Sequence, residues 1–279
     1  MKISIFSKFF AFLLLFSQIA LGKIVTTGSL SDIEKLLDDA DKQSLVIFDC
    51  DDVLIRQTDA SFSSEGWKAL SGYLATVSKN SPELGQKLTR TIWETAPQIL
   101  VDKNMPRFVA KLQERGTKVI VLTRMANEPL DGTTSADLRV DELFRFGFDF
   151  SKAWTDLQPK FFGLDWKSPY YKSGIVFSKP GEKGKALKLF LKYAGIKPSK
   201  IFFIDDTVKN LKSVEQAFAK EPIRMTCIKY TASKKLPRKF KFSNVRLQVQ
   251  LHLLNEEGKW YSDEEIEKRA AEKLKEGKC

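Results

Sequence analysis

Three uninterrupted apolar runs each end on a residue able to do chemistry. Leu45-Val46-Ile47-Phe48 runs into Asp49, Val119-Ile120-Val121-Leu122 into Thr123, and Ile201-Phe202-Phe203-Ile204 into Asp205. Runs that do not alternate with polar residues mark strands buried on both faces. Helical patterns lie between them. Asn104 and Pro106 open one, with Met105, Phe108, Val109 and Leu112 on its apolar stripe and Gly116 closing it. A second runs from about Gly184 to Gly195, with Leu187, Phe190 and Leu191 on one face. A third follows Asp206, with Val208, Leu211, Val214 and Phe218. Gly174–Phe177 reads as a further strand, and Ile223–Tyr230 as another near an edge. Strand–helix alternation of this kind predicts an α/β fold, a Rossmann-like doubly wound parallel sheet.

Such a sheet brings the C-terminal ends of its strands to one edge, where ligands bind. Asp49-Cys50-Asp51, Thr123, the Lys183-Gly184 pair and Asp205-Asp206 would then meet in one pocket. Several carboxylates, one hydroxyl and one ammonium suit phosphoryl transfer assisted by a divalent metal.

The same residues carry a resemblance. Phe48 to Leu54, Val121-Leu122-Thr123, Lys183, and Ile204-Asp205-Asp206 with Asn210 four residues on resemble, in order and separation, the four motifs of the haloacid dehalogenase (HAD) superfamily, on its phosphatase branch. The match covers roughly residues 42–230. Trp67, Leu122-Thr123-Arg124, the stretch Tyr171 to Phe177, and Lys183-Gly184 with Leu187 further resemble a HAD-like family found mainly in intracellular Gram-negative bacteria.

The resemblance implies a role for each position. Asp49 is the nucleophile that becomes the aspartyl-phosphate, which splits a difficult hydrolysis into two steps. Asp51 protonates the leaving oxygen and later deprotonates the attacking water. Thr123 hydrogen-bonds a phosphoryl oxygen, and Lys183 neutralises developing charge. Asp49, the Asp51 main-chain carbonyl and Asp205 supply oxygen ligands for Mg2+. Asp206 and Asn210 orient Lys183 or metal-bound water. Two choices stay open: Lys183 against Lys185 as the functional lysine, with Lys183 preferred, and Asp205 against Asp206 as direct ligand, with Asp205 preferred. The expected partner is a phosphorylated substrate of unknown identity.

Other readings compete for single residues. An Asp after a strand is commonly a turn or cap residue, and only the four motifs together outweigh that. Lys183 sits among Lys179, Lys185 and Lys188, so a solvated basic face is its plain alternative. Trp67 and Trp93 read as core packing, and Arg124 as a surface arginine. Cys50 to Arg56 has the spacing of a cysteine phosphatase, but the acidic and apolar residues between cannot cradle phosphate; Cys50 reads as a small apolar residue in the sheet. The lone histidine, His252, reads as structural. A whole-chain alternative is a catalytically inactive HAD-fold binding or effector module. A metal–nucleotide glycosyltransferase leaves Lys183 without a purpose, and a phosphoacceptor receiver places its acidic pair on the first strand.

Residues 1–22 read as a cleaved signal peptide: Lys2 and Lys8, an apolar core from Phe9 to Ala20, then Ala20-Leu21-Gly22. No cysteine follows immediately, which argues against a lipoprotein anchor. The expectation is a periplasmic or secreted protein. Residues 23–279 then form one HAD-like hydrolase domain, with a small, mainly helical cap inserted at about 56–103 and a second insertion at about 125–178. Thr89–Leu100 reads as helix. Alternation at Val245, Leu247, Val249, Leu251 and Leu253 argues strand, whereas the resemblance suggests helix. Ser262–Lys275 reads as a charged, loosely packed helix. The net charge of +11 falls to +9 without Lys2 and Lys8, which favours anionic partners. No motif points to nucleic-acid or membrane binding by the mature chain. Three cysteines leave an odd count, with Cys227 and Cys279 a conceivable pair.

Overall fold

The computed structural model describes residues 24–179 and 182–275; the expected leader and Cys279 lie outside the described residues. The chain begins with β1 (Val25–Thr27), α1 (Leu30–Leu36), β2 (Ser44–Phe48) and β3 (Ile55–Gln57). Next come α2 (Ser64–Asn80), α3 (Pro82–Thr95), β4 (Gln98–Leu100), α4 (Met105–Glu114) and β5 (Lys118–Thr123). The second insertion carries β6 (Pro129–Leu130), β7 (Thr133–Thr134), α5 (Ser135–Arg145), β8 (Lys160–Phe161), β9 (Tyr170–Lys172) and β10 (Ile175–Phe177). The chain continues with α6 (Lys183–Ala194), β11 (Lys200–Asp205), α7 (Val208–Phe218), β12 (Arg224–Tyr230), α8 (Asn244–Glu257) and α9 (Asp263–Lys275).

The central sheet has the order β1-β12-β11-β2-β5-β10-β9-β8. The first six strands pair in parallel, as the apolar runs predict. The sheet is not parallel throughout: β9 is antiparallel to β10, and β8 to β9. The turn explains this. Ser173 and Gly174 both adopt positive φ, 48° and 78°, the requirement of a two-residue hairpin. A side chain on Gly174 would lie 2.3 Å from the Phe150 carbonyl oxygen.

Along the central strands the side chains alternate between two cores. Val46, Phe48, Val119, Val121 and Ile204 face Ile33, Phe108, Val109 and Leu143 from α1, α4 and α5. Leu45, Ile47, Ile120, Leu122 and Phe203 face Leu187, Phe190, Leu211 and Val214 from α6 and α7. The two helices on that second face approach closely at Gly184, where a Cβ would lie 2.3 Å from the Ser213 carbonyl oxygen.

A third core stands apart from the sheet. Leu70, Leu88 and Ile92 of α2 and α3 pack with Leu247, Leu251 and Leu254 of α8 and with Trp260. The helical unit is therefore not confined to 56–103, because the C-terminal helices complete it. Residues 244–257 are helix rather than strand: the buried positions Leu247, Gln250, Leu251 and Leu254 keep helical spacing, while Val245 and Val249 are exposed. Thr89–Leu100 is not continuous helix, since α3 ends at Thr95 and Gln98–Leu100 pairs with Ile55–Gln57 as an antiparallel ribbon. Nor does α9 pack loosely at its start. Asp263 is buried and accepts from the Ala60 amide at 2.7 Å and Gln250 Nε2 at 3.3 Å. Asp59 accepts from Trp260 Nε1 at 2.8 Å and the Asp263 amide at 3.2 Å. Among the described residues, no helix is long and apolar enough to cross a membrane.

Gly184→Ala is expected to destabilise the fold by about 1–3 kcal/mol through overpacking, measured as a fall in the denaturant midpoint. Asp59 offers a pH test. Burial pushes its carboxyl up to about 6, against stabilising bonds from Trp260 and the Asp263 amide. A carboxyl raised above its unfolded value near 3.8 contributes stability that is fully present below that value. The contribution, about 2–3 kcal/mol, is lost as pH rises through 6. Denaturation of the native protein between pH 3.5 and 8, beside Asp59→Asn, should show a difference that changes over that window and is flat above it.

Candidate active site

The site grows from the two neighbouring strands at the middle of the sheet. From β2 the chain winds outward to β5 and β10, then crosses back to β11 and β12 on the other side, where β1, the first strand, forms the edge. The point where strand order reverses leaves a crevice at the carboxyl ends. Phe48 is in register with Ile204, and the Asp49 amide donates to the Ile204 carbonyl at 2.8 Å, extending the ladder by one step. Asp49 and Asp205 therefore emerge side by side.

Lys183, the first residue of α6, reaches both. Its Nζ lies 2.7 Å from Asp49 Oδ1 and 2.7 Å from Asp205 Oδ2. Its side chain is buried, whereas Lys185 is exposed on the same helix. The fold thus brings Lys183 and not Lys185 to the carboxylates. Lys183 does not open on to the pocket; it lies behind the acids and holds them. Burial works against its charge, but Asp49 and Asp205 outweigh this and keep its pKa above the ordinary lysine value. Burial pushes the Asp49 carboxyl up; Lys183 opposes this, while Asp205 and Asp51 add to it.

Asp205 and Asp206 have different surroundings. Asp205 is fully enclosed. Its oxygens accept from Lys183, from Asn210 Nδ2 at 3.0 and 3.1 Å, and from the Thr207 amide at 2.8 Å. Asp206 lines the pocket, and among the described residues only the Thr207 hydroxyl, at 2.9 Å, hydrogen-bonds its carboxylate. Burial, and then the charge of Asp49, raise the Asp206 pKa. The Asp205 oxygens are thus engaged by these donors, whereas the Asp206 carboxylate faces the pocket. Oxygens of Asp49, Asp205 and Asp206 all lie within 4.8 Å of one another. Three carboxylates around one ammonium leave negative charge in excess, and an all-oxygen donor set suits a hard divalent cation.

The loop after Asp49 turns sharply. The Leu54 amide donates to the Cys50 carbonyl at 2.9 Å, and the Asp52 amide to Ile55 O at 2.8 Å, with Asp52 at φ 62°. This aims Asp51 toward Arg139 of α5. Arg139 NH2 lies 3.1 Å from Asp51 Oδ1, while NH1 lies 2.5 Å from Glu142 and 3.1 Å from Cys50 Sγ. Its guanidinium stacks over the Trp93 ring at 4.7 Å. Cys50 is buried, as read from sequence, but it also accepts from this arginine. Cys227 is a buried free thiol. Thr123 ends β5 on the pocket wall, buried, its carbonyl tied to the Ser178 amide at 2.8 Å. His252 is exposed on α8.

Above these residues opens a pocket of about 700 Å³. Its far wall comes from the helical unit and includes Phe62, Trp67, Leu74 and Trp93; Arg124 stands on the near side. Trp67 and Trp93 are thus pocket walls rather than core, Trp67 being 46% exposed. Arg124 lines the site rather than an unrelated surface. Nothing in the sequence marks Arg139. Arg139 and Glu142 stand three apart on a helix and look like any surface ion pair; burial alone separates them from one.

Removing Arg139 leaves Glu142 buried without its cation. Arg139→Met should cost about 3–5 kcal/mol of stability, seen in chemical denaturation, and adding Glu142→Gln should recover some of it.

No curated protein and no solved structure matches this chain. A family profile does match residues 26–267, which takes in every element from β1 to the first turn of α9. The chain belongs to the family described as protein of unknown function, DUF2608.

Proposed function

We propose that this protein is a Mg2+-dependent phosphatase of the HAD type, hydrolysing a phosphate monoester through an aspartyl-phosphate on Asp49. One observation carries the reading. Asp49 lines a deep pocket at the strand-order reversal and is held at 2.7 Å by a buried lysine shared with Asp205. A nucleophile fixed this way reacts without the entropy cost of being positioned.

In the first step an Asp49 oxygen forms a bond to phosphorus while the bond to the leaving oxygen breaks. Asp51 gives that oxygen its proton. In the second step water attacks phosphorus, Asp51 takes the water's proton, and the bond to Asp49 breaks. Arg139 fixes the direction of Asp51. Thr123 and Arg124 are the pocket-lining groups able to bind phosphoryl oxygens. Lys183 and Asn210 keep Asp49 and Asp205 in place. Asp49 and Asp206, with the Asp51 main-chain carbonyl that the resemblance implies, would hold Mg2+. When bound, the ion supplies neutralisation of phosphate charge and of the surrounding carboxylates. The helical unit is the cap of this reading, covering the reaction from water.

The test is hydrolysis of 4-nitrophenyl phosphate by the full chain with Mg2+ and with chelator. Turnover should depend on the metal, vanish in Asp49→Asn, and fall by about 10²–10⁴-fold in Asp51→Asn. Activity surviving Asp49→Asn would overturn the nucleophile. Folded protein that binds Mg2+ but turns over no phosphate ester would leave the binding-module reading in its place.

A further inference from the structure

Resting on the phosphatase reading, we infer that the substrate is a monophosphate ester bearing one uncharged aromatic ring system, which stacks against Trp67. The pocket is divided chemically. Its charged side chains, Arg124, Arg139 and the carboxylates, come from the sheet-edge loops and the second insertion. Among the described residues, the segment from Gln57 to Gln98 contributes none. A second phosphate or a carboxylate on the leaving group would face that wall with no cation to meet it, at the cost of its hydration. Nucleoside diphosphates and phosphorylated acids therefore fit poorly.

What the wall does offer is aromatic surface. Trp67 stacks on Phe62 with ring centroids 6.3 Å apart and planes 22° apart. Phe62 in turn contacts Trp260 at 5.7 Å. Trp260 is fully buried and pinned to Asp59 by its indole N–H. The exposed ring at the pocket thus stands on a fixed base of two further rings. Trp93 is fixed as well, by the Arg139 guanidinium over its face. Half-exposed tryptophan held this rigidly at a pocket loses little entropy on binding and suits planar ligands. The polar groups on this wall are neutral, among them Gln57, Ser71 and Gln98, enough to orient a ring's substituents. Two sources share this chemistry: aryl phosphates and nucleoside monophosphates.

Binding separates this inference from catalysis. Phenylphosphonate and methylphosphonate, which are not hydrolysed, are titrated into the full chain with Mg2+ by calorimetry. Phenylphosphonate should bind about tenfold tighter or better, the scale of one aromatic stack. Trp67→Ala should remove most of that ratio, and Trp67→Phe should restore it. Equal affinities, or a ratio that Trp67→Ala leaves intact, would overturn the aromatic substrate class while leaving the phosphatase reading to its own turnover test. If neither phosphonate binds, the aromatic substrate class is overturned, and the phosphatase reading stands or falls on turnover of 4-nitrophenyl phosphate. Relative kcat/KM on phenyl phosphate, a nucleoside 5′-monophosphate and glucose 6-phosphate then tells the two sources apart; a preference for the sugar phosphate would also overturn the inference.

Discussion

A single buried ammonium organises the sheet edge. Lys183 is enclosed by protein, and an unpaired charge there would cost several kcal/mol. It is tolerated because Asp49 and Asp205 stand at 2.7 Å on either side, and because Asn210 and the Thr207 amide satisfy the remaining lone pairs of Asp205. The three partners come from the ends of two strands and the start of one helix. None of these elements can shift without exposing a buried charge. That constraint fixes Asp49 against the pocket floor and leaves Asp206, the residue after Asp205, facing the opening.

Arg139 has a comparable role farther from the sheet. It ties Asp51 on the loop after β2 to Glu142 within α5 and to Trp93 on α3. Sheet, second insertion and helical unit are thereby joined through one guanidinium, whose planar fork and weak hydration suit buried, multi-partner contacts. The geometry of Asp51 is then a property of three regions of the chain at once.

The sheet and its motifs were legible because their signals are local. Apolar runs announce doubly buried strands, and Asp49, Thr123 and Asp205 converge simply by lying where parallel strands end, with Lys183 reaching the two aspartates from the start of the helix α6. Other features were not local. Alternation at Val245 to Leu253 favoured strand, yet α8 buries Leu247, Gln250, Leu251 and Leu254, because its partner surface on α2 and α3 lies far upstream in the sequence. Trp67 and Trp93 carry no mark in the sequence that separates a pocket wall from a core. Asp205 and Asp206 are identical in type, and only the enclosure of one distinguishes them. The antiparallel edge was hidden in the short Ser173-Gly174 turn.

The joining of Asp59 to Trp260 and Asp263 has a consequence for how the molecule is made. These residues are 201 and 204 positions apart. The sheet needs the chain only as far as β12, but the helical unit's core waits for α8 and Trp260. Long-range closure of this kind is slow and comes late. During synthesis, the sheet edge with its carboxylates would precede the packed base on which the pocket's helical wall stands. The wall drawn from Gln57 to Gln98 gains its packed base only when α8 and Trp260 join it, so that maturation of the site waits on a segment far downstream of the residues that line it.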